Sequence, residues 1–247
     1  MNPRAFVLGQ TAIARPPLVP ELCLHLASEV TPLWQATEIE LARQGVPPPY
    51  WAFPWAGGQA LARHVLDHPE LVAGRCVLDF ASGSGLVAIA AALAGAAEVT
   101  AADVDPFAGA AIALNAARNG VPIAVLIDDL TARADAGTWD VILAGDICYE
   151  REMAARVLPW LWARAAEGRA VLLGDPGRTY CPGAGVEEIG RCVVPVSLDL
   201  EGREAREASI LRLRHDPLAG ASGAPPGLPG EPPSVVASRA LHRGGAP

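Results

Sequence analysis

The chain has 247 residues, enough for one large domain or two small ones, and a hydrophobic content of 51% that can fill a sizeable core. A formal charge of −8 and a pI near 5.1 argue against a phosphate-binding surface, so no nucleic-acid partner is expected. All 19 basic residues are arginine, which excludes chemistry built on a P-loop lysine or a Schiff-base lysine.

Taken from the N-terminus, Arg4 and Arg15 flank no sustained apolar core, so no secretory signal is expected, and Pro16, Pro17 and Pro20 break any amphipathic presequence helix. Residues 1–70 read as helical pieces separated by proline. Leu33–Arg43 and Gln59–Leu66 show helical spacing, with the PPPY run at Pro47–Tyr50 as a rigid break. From Arg75 onward short apolar runs alternate with helices. Cys76–Phe80 is a strand, Ser84–Ala94 a helix, Glu98–Ala102 a strand and Pro106–Arg118 a helix. Asp105 is the expected N-cap, Pro106 the first helical residue and Gly120 the C-terminal stop. Ile123–Ile127 and Trp139–Ala144 follow as strands, Glu152–Ala166 as a helix, Ala170–Gly174 as a strand, and Val193–Leu200 with Ala208–Leu213 as a closing pair.

Repeated strand–helix units predict a doubly wound α/β domain: a seven-stranded, mostly parallel sheet with a terminal antiparallel hairpin. The expected organisation is an N-terminal helical segment over 1–70 packed on a catalytic domain over 71–215. A Pro/Gly-rich tail over 216–247, with 6 Gly and 7 Pro, is expected to be disordered. The apolar run Leu86–Ala97, about 12 residues, falls short of the roughly 18–20 of a membrane span, so no membrane partner is expected. Cys23, Cys76, Cys148, Cys181 and Cys192 are odd in number and widely spaced. They suit neither a disulfide framework nor a zinc site, so no metal is expected and a reducing cytosol is the expected setting; the expected location is the cytoplasm of a bacterial cell.

In such sheets ligands bind at the carboxyl ends of the strands. The first strand runs VLDFASGSG, where Asp79 precedes a loop whose Gly83 and Gly85 let the backbone approach a ligand ahead of a helix N-terminus. The dinucleotide fingerprint is not met, because positions 81 and 88 are alanine. Asp103 ends the second strand 24 residues after Asp79, near the spacing at which a carboxylate meets ribose hydroxyls. The third strand ends at Asp128–Asp129–Leu130, suited either to an adenine amino group or to a solvated turn. Asp146 and Tyr149 follow the fourth strand, placed either for a substrate or as a helix cap beside a half-buried tyrosine. In YWAFPWAGG (Tyr50–Gly58), two tryptophans and paired glycines either line a flat ligand or plug the sheet.

Taken together, PPPYWAFPWAGGQALARHVLDHP, VLDFASGSG, ADVDPFAGAAIALN, WDVILAGDICYE and LLGDPGR resemble the S-adenosylmethionine-dependent class I methyltransferases that carry a D-x-x-Y motif after strand four. More narrowly they look like the electron transfer flavoprotein β-subunit lysine methyltransferases, over about residues 45–214. The resemblance implies S-adenosyl-L-methionine as cofactor. Asp79, Gly83 and Gly85 would cradle its amino-acid part, Asp103 its ribose, and Asp129 with Leu130 its adenine. Ala81, Ser82, Val104 and Gly145 are further cofactor positions, and Trp51 or Trp55 would pack nearby. Asp146 and Tyr149 would receive a lysine of a protein substrate, with Gly174–Arg178 on the same rim. Ala81 stands where the family has the first glycine of the loop, which alanine can replace if φ is negative. The electron transfer flavoprotein β subunit is the implied partner and a monomer the implied state. A ribosomal protein or a small amine as acceptor, and a silent binding module, are the alternatives.

Overall fold

The structure is a computed structural model that describes residues 1–28, 31, 33, 41, 43, 45–133 and 137–214, without the side chains of 199 and 200. The first part of the chain forms α1 (Pro3–Gln10), β1 (Ala12–Ala14), β2 (Leu24–Leu26) and α2 (Ala56–Asp67). Then come β3 (Cys76–Phe80), α3 (Leu86–Leu93), β4 (Glu98–Asp103), α4 (Pro106–Asn119) and β5 (Ala124–Ile127). The remainder is β6 (Val141–Gly145), α5 (Arg151–Ala166), β7 (Ala170–Asp175), β8 (Val186–Pro195), the single-turn α6 (Leu198–Glu201) and β9 (Ala205–Leu213). Strands β3 to β9 form one sheet in the order β5-β4-β3-β6-β7-β9-β8. Its first five strands are parallel, and β9 runs antiparallel to both β7 and β8. This is the expected seven-stranded doubly wound sheet with a terminal hairpin.

Both faces of the sheet are covered, and strand alternation shows it. Val77, Val141, Leu143 and Leu172 join the core built with α2 and α3, whereas Leu78, Ile142, Ala144, Val171 and Leu173 join the core built with α5. Every residue from Leu86 to Ala91 is buried, as expected of a helix that is apolar on all sides. Helix α4 has its expected caps: the Asp105 carboxylate accepts from the Phe107 amide at 2.8 Å, and Gly120 ends the helix at φ 67°.

The N-terminal part departs from the all-helical expectation. Residues 12–14 and 24–26 pair as an antiparallel ribbon rather than as helix. Two amides one turn apart on α4 hold this ribbon. Asn115 accepts from the His25 amide at 2.7 Å, and Asn119 both accepts from and donates to the Cys23 backbone at 2.9 and 2.8 Å. Val19, Leu22, Leu24 and Leu26 then sit in the same core as α2 and α3. The predicted helix at Leu33–Arg43 falls largely, and the tail at 216–247 wholly, outside the described residues.

The strand expected over Val193–Leu200 is also displaced. It begins earlier, at Val186, and ends at Pro195; Leu198–Glu201 turns as a helix stopped by Gly202 at φ 68°. The alternating pattern of VVPVSLDL misleads because Pro195 ends the strand and the chain turns at Gly202, which brings Glu201 to arginines from other elements.

Candidate active site

The chain proceeds from β3 toward β5 in one direction and from β6 toward β8 in the other, so the ends of β3 and β6 flank the point where the winding reverses. Each of these two strands is followed by a non-glycine residue in the left-handed region, Ala81 at φ 54° and Asp146 at φ 56°. The expectation of a negative φ at Ala81 is therefore not met. The turn is imposed by Ser82, whose amide donates to the Ala102 carbonyl at 3.0 Å and whose hydroxyl donates to Asp79 at 2.5 Å. For an alanine this backbone costs roughly 1–2 kcal/mol. Paired strain at one switch point marks a functional locus.

On the β3–β4 side the site is knitted by short-range hydrogen bonds. Buried Asp79 accepts from Ser82 and from the Ala88 amide at 2.9 Å. Burial pushes its pKa up to about 7 against those two bonds. Asp103 accepts from the amides of Gly83 and Asp105 at 2.9 and 3.0 Å, and burial raises it as well. Gly83 and Gly85 take φ of 56° and 82°, a backbone that favours glycine. Val104, 61% exposed, leaves an apolar surface at the end of β4. Asp129 caps the turn over Leu130–Ala132 by accepting from Thr131, and pairs with Arg156 at 3.3 Å; the Thr131 bond holds its pKa below the usual range. Leu130 is buried against the sheet.

On the β6–β7 side the site depends on bare backbone. A side chain on Gly57 would place its Cβ 2.7 Å from Asp146 Oδ2 and closer still to the Gly174 carbonyl; one on Gly145 would meet the Gly58 Cα at 2.7 Å. The first turn of α2 thus lies directly on the ends of β6 and β7. There the Gly58 amide donates to Asp146 Oδ2 at 2.8 Å, with the positive end of the helix facing the carboxylate. The other oxygen of Asp146 accepts from the Arg178 guanidinium at 2.9 Å. Arg178 also pairs with Glu201 at 2.9 Å, and Arg206 pairs with Glu201 at 2.7 Å. Glu201 is fully buried. Burial lifts Asp146 to about 6 despite Arg178. Burial works against the Arg178 cation, but Asp146 and Glu201 outweigh it and the net shift is upward.

Aromatic rings wall this carboxylate. Tyr149 lies 5.2 Å from Tyr50, Tyr50 6.3 Å from Trp55, and the Arg178 guanidinium 5.8 Å from the Trp55 ring. Tyr149 and Tyr50 are 36% and 39% exposed, so they form the mouth. Burial first and then the neighbouring Tyr50 raise the Tyr149 phenol, which stays neutral at physiological pH.

The structure therefore gathers Asp79, Ala81, Ser82, Gly83, Gly85, Asp103 and Val104 on one side of the switch point, and Gly145, Asp146 and Tyr149 on the other. The two tryptophans separate. Trp51 is buried among Phe107, Ala108 and Ala111, its backbone 3.6 Å from where a Gly83 Cβ would be, whereas Trp55 borders Arg178 on the β6–β7 side. Arg178 points inward to Asp146 rather than out along the rim. Tyr50 and Glu201 were not singled out by sequence. Tyr50 looked like part of a proline break, and Glu201 follows the expected strand Val193–Leu200.

Known proteins share this chain's pattern. The family model of ribosomal protein L11 methyltransferase (PrmA) matches residues 61–149. The electron transfer flavoprotein beta subunit lysine methyltransferase of Xenopus laevis is 42% identical over 178 residues, 71% of each chain. The human protein of that name is 41% identical over 155 residues, 61% of this chain and 58% of its own length. The Caenorhabditis elegans homolog is 32% identical over 188 residues, 70% of this chain and 76% of its own.

Proposed function

We propose that this chain, which belongs to the electron transfer flavoprotein beta subunit lysine methyltransferase family, transfers methyl groups from S-adenosylmethionine to lysine side chains of a protein, the electron transfer flavoprotein beta subunit. The observation that carries this reading is the identity to the named relatives over a stretch far longer than the L11 match. That match, residues 61–149, covers strands β3 to β6, a stretch that says little about the acceptor.

The donor set fits the cofactor. When ionised, Asp79 and Asp103 are acceptor-only carboxylates at adjacent strand ends, suited to an ammonium and to ribose hydroxyls. Each Asp103 oxygen accepts one backbone bond and keeps a lone pair for a hydroxyl. S-adenosylmethionine supplies an electrophilic methyl group on a sulfonium centre.

The chain's own residues handle the acceptor. A lysine of ordinary pKa near 10.4 needs about 4–5 kcal/mol to reach the neutral amine at pH 7. A bare carboxylate would oppose that by favouring the ammonium. Here Arg178 neutralises Asp146 and brings a permanent positive charge to the same pocket, which disfavours a second cation. Asp146 thus receives and orients the lysine through a hydrogen bond without trapping it as a full ion pair. Tyr149 and Tyr50 guide the aliphatic stem and exclude water, and the departing proton leaves by the exposed mouth. Alignment supplies most of the acceleration, because the displacement needs no covalent help from the enzyme.

Incubation with methyl-labelled S-adenosylmethionine and recombinant electron transfer flavoprotein, followed by peptide mapping, tests the assignment. Label on beta-subunit lysines is expected. Label confined to ribosomal protein L11 or to a small amine would replace the proposed acceptor.

A further inference from the structure

Among the described residues, one group of three metal-ligating side chains converges: Cys148, Asp175 and Cys181, with a donor atom from each within 4.8 Å of the others. Cys148 and Asp175 are buried and Cys181 is partly exposed. The two cysteines lie 33 residues apart in sequence and meet because β6 and β7 pair, so that their following loops run side by side. The Tyr180 amide already joins those loops by donating to the Cys148 carbonyl at 3.3 Å.

We propose that Cys148, Asp175 and Cys181 form a binding site for one thiophilic divalent cation of the zinc class. Asp175 is 2% exposed; its Oδ1 accepts from the Arg178 amide at 2.7 Å, while its Oδ2 has no hydrogen-bond partner. One oxygen is thus fixed by the Arg178 amide. Burial raises the pKa of the carboxylate and the Cys181 thiol, already facing it, works the other way, so two of the three ligands are turned toward each other with one oriented from its outer shell. A tetrahedral zinc with Zn–S near 2.3 Å and Zn–O near 2.1 Å spans donor separations of roughly 3.6–3.8 Å, within the 4.8 Å that bounds this triangle. Two thiolates favour zinc or cadmium over magnesium. The partly exposed Cys181 provides the entry, and water fills the fourth position.

The exchange conserves local charge. One divalent cation enters, two S–H bonds break, two metal–sulfur bonds form, and two protons pass to buffer. That balance matters in a pocket where, among the described residues, the carboxylates of Asp146 and Glu201 pair with Arg178 and Arg206 and Asp175 lies beside Arg178. The bound ion would clamp the Asp146–Tyr149 loop to the Gly174–Arg178 loop.

Cadmium titration of the reduced full-length chain reads the site directly, through the ultraviolet thiolate-to-cadmium band, and needs no methyl transfer. One equivalent per chain is expected, with two protons released, zinc abolishing the band and excess magnesium leaving it intact. Cys181→Ser and Asp175→Asn should each weaken binding at least tenfold, with fold checked by S-adenosylhomocysteine binding; Cys23→Ser should not. Absence of the band at equimolar cadmium, or an affinity unchanged in Cys181→Ser, overturns the proposal. Failure of the methylation reading would leave these results untouched.

Discussion

The two sides of the switch point are built on different length scales. On the β3–β4 side, Asp79 finds its partners three and nine residues along the chain, and Asp103 finds one twenty residues back. On the β6–β7 side, Asp146 is held by a glycine 88 residues away and an arginine 32 away, and that arginine is held by a glutamate a further 23 along. The β3–β4 side, where the proposed function puts the cofactor, is thus a local construction that a strand–loop–helix unit carries with it. The acceptor side exists only once α2, the β6 and β7 loops and the terminal hairpin have all docked. Acceptor chemistry can therefore diverge while the cofactor cradle stays recognisable.

The largest effects should break the acceptor side alone. Asp146→Asn keeps the Gly58 hydrogen bond but leaves Arg178 short of a counter-charge, and should lower turnover by about 10²-fold or more. S-adenosylhomocysteine affinity, measured by calorimetry, should change little. Unchanged turnover would remove Asp146 from the mechanism. Arg178→Ala removes the counter-charge of buried Asp146 and leaves Glu201 with Arg206 in place of two arginines, and should cost about 3–5 kcal/mol of stability in denaturant unfolding. A loss under 1 kcal/mol would mean that the network is solvated.

Next in size are the effects of glycine contacts. Gly57→Ala forces a Cβ against Asp146 and the Gly174 carbonyl, so α2 must shift. A loss of about 1–3 kcal/mol, with turnover falling further than cofactor affinity, is expected. Equal losses in both would show that the two sides are not separable.

The cofactor side should respond to pH. Asp79 has a folded pKa raised to about 7 above an ordinary value of 3.8. Its contribution to stability is therefore present below about pH 4 and lost as pH rises through 7. Cofactor affinity runs the other way, because only the ionised carboxylate favours an ammonium. S-adenosylhomocysteine should bind about tenfold tighter at pH 8 than at pH 6, and Asp79→Asn should flatten that dependence. The smallest effect belongs to Ala81→Gly. Relief of the left-handed strain, less the entropy of an added glycine, leaves a net gain of about 0.5 kcal/mol, read as a rise in Tm of about 1–2 °C.

Legibility followed the same division. The glycines at 83 and 85, the Asp105–Pro106 cap with its Gly120 stop, and the Asp79–Asp103 spacing are local patterns, and the structure places them as read. The Asp146–Tyr149 pair was legible as a motif, but the partner of its carboxylate was not. Arg178 looked like a rim residue and Glu201, just past the expected strand Val193–Leu200, carried no signal of a role, because nothing in a one-dimensional pattern tells that two arginines will pair with a buried glutamate. The paired glycines at 57 and 58 invited a ligand-lining role, whereas their lack of side chains serves backbone contact with β6 and β7.

By itself, then, the sequence determined the sheet, its winding and the carboxylates at its strand ends, because periodicity and capping act over a few residues. It also determined that no lysine of this chain can be the acceptor side chain, since all 19 basic residues are arginine. Only the tertiary structure decided what surrounds Asp146, why Ala81 is strained, and that Cys148 and Cys181 meet. Those outcomes depend on which loops the strand order brings together, and strand pairing joins residues that sequence distance separates.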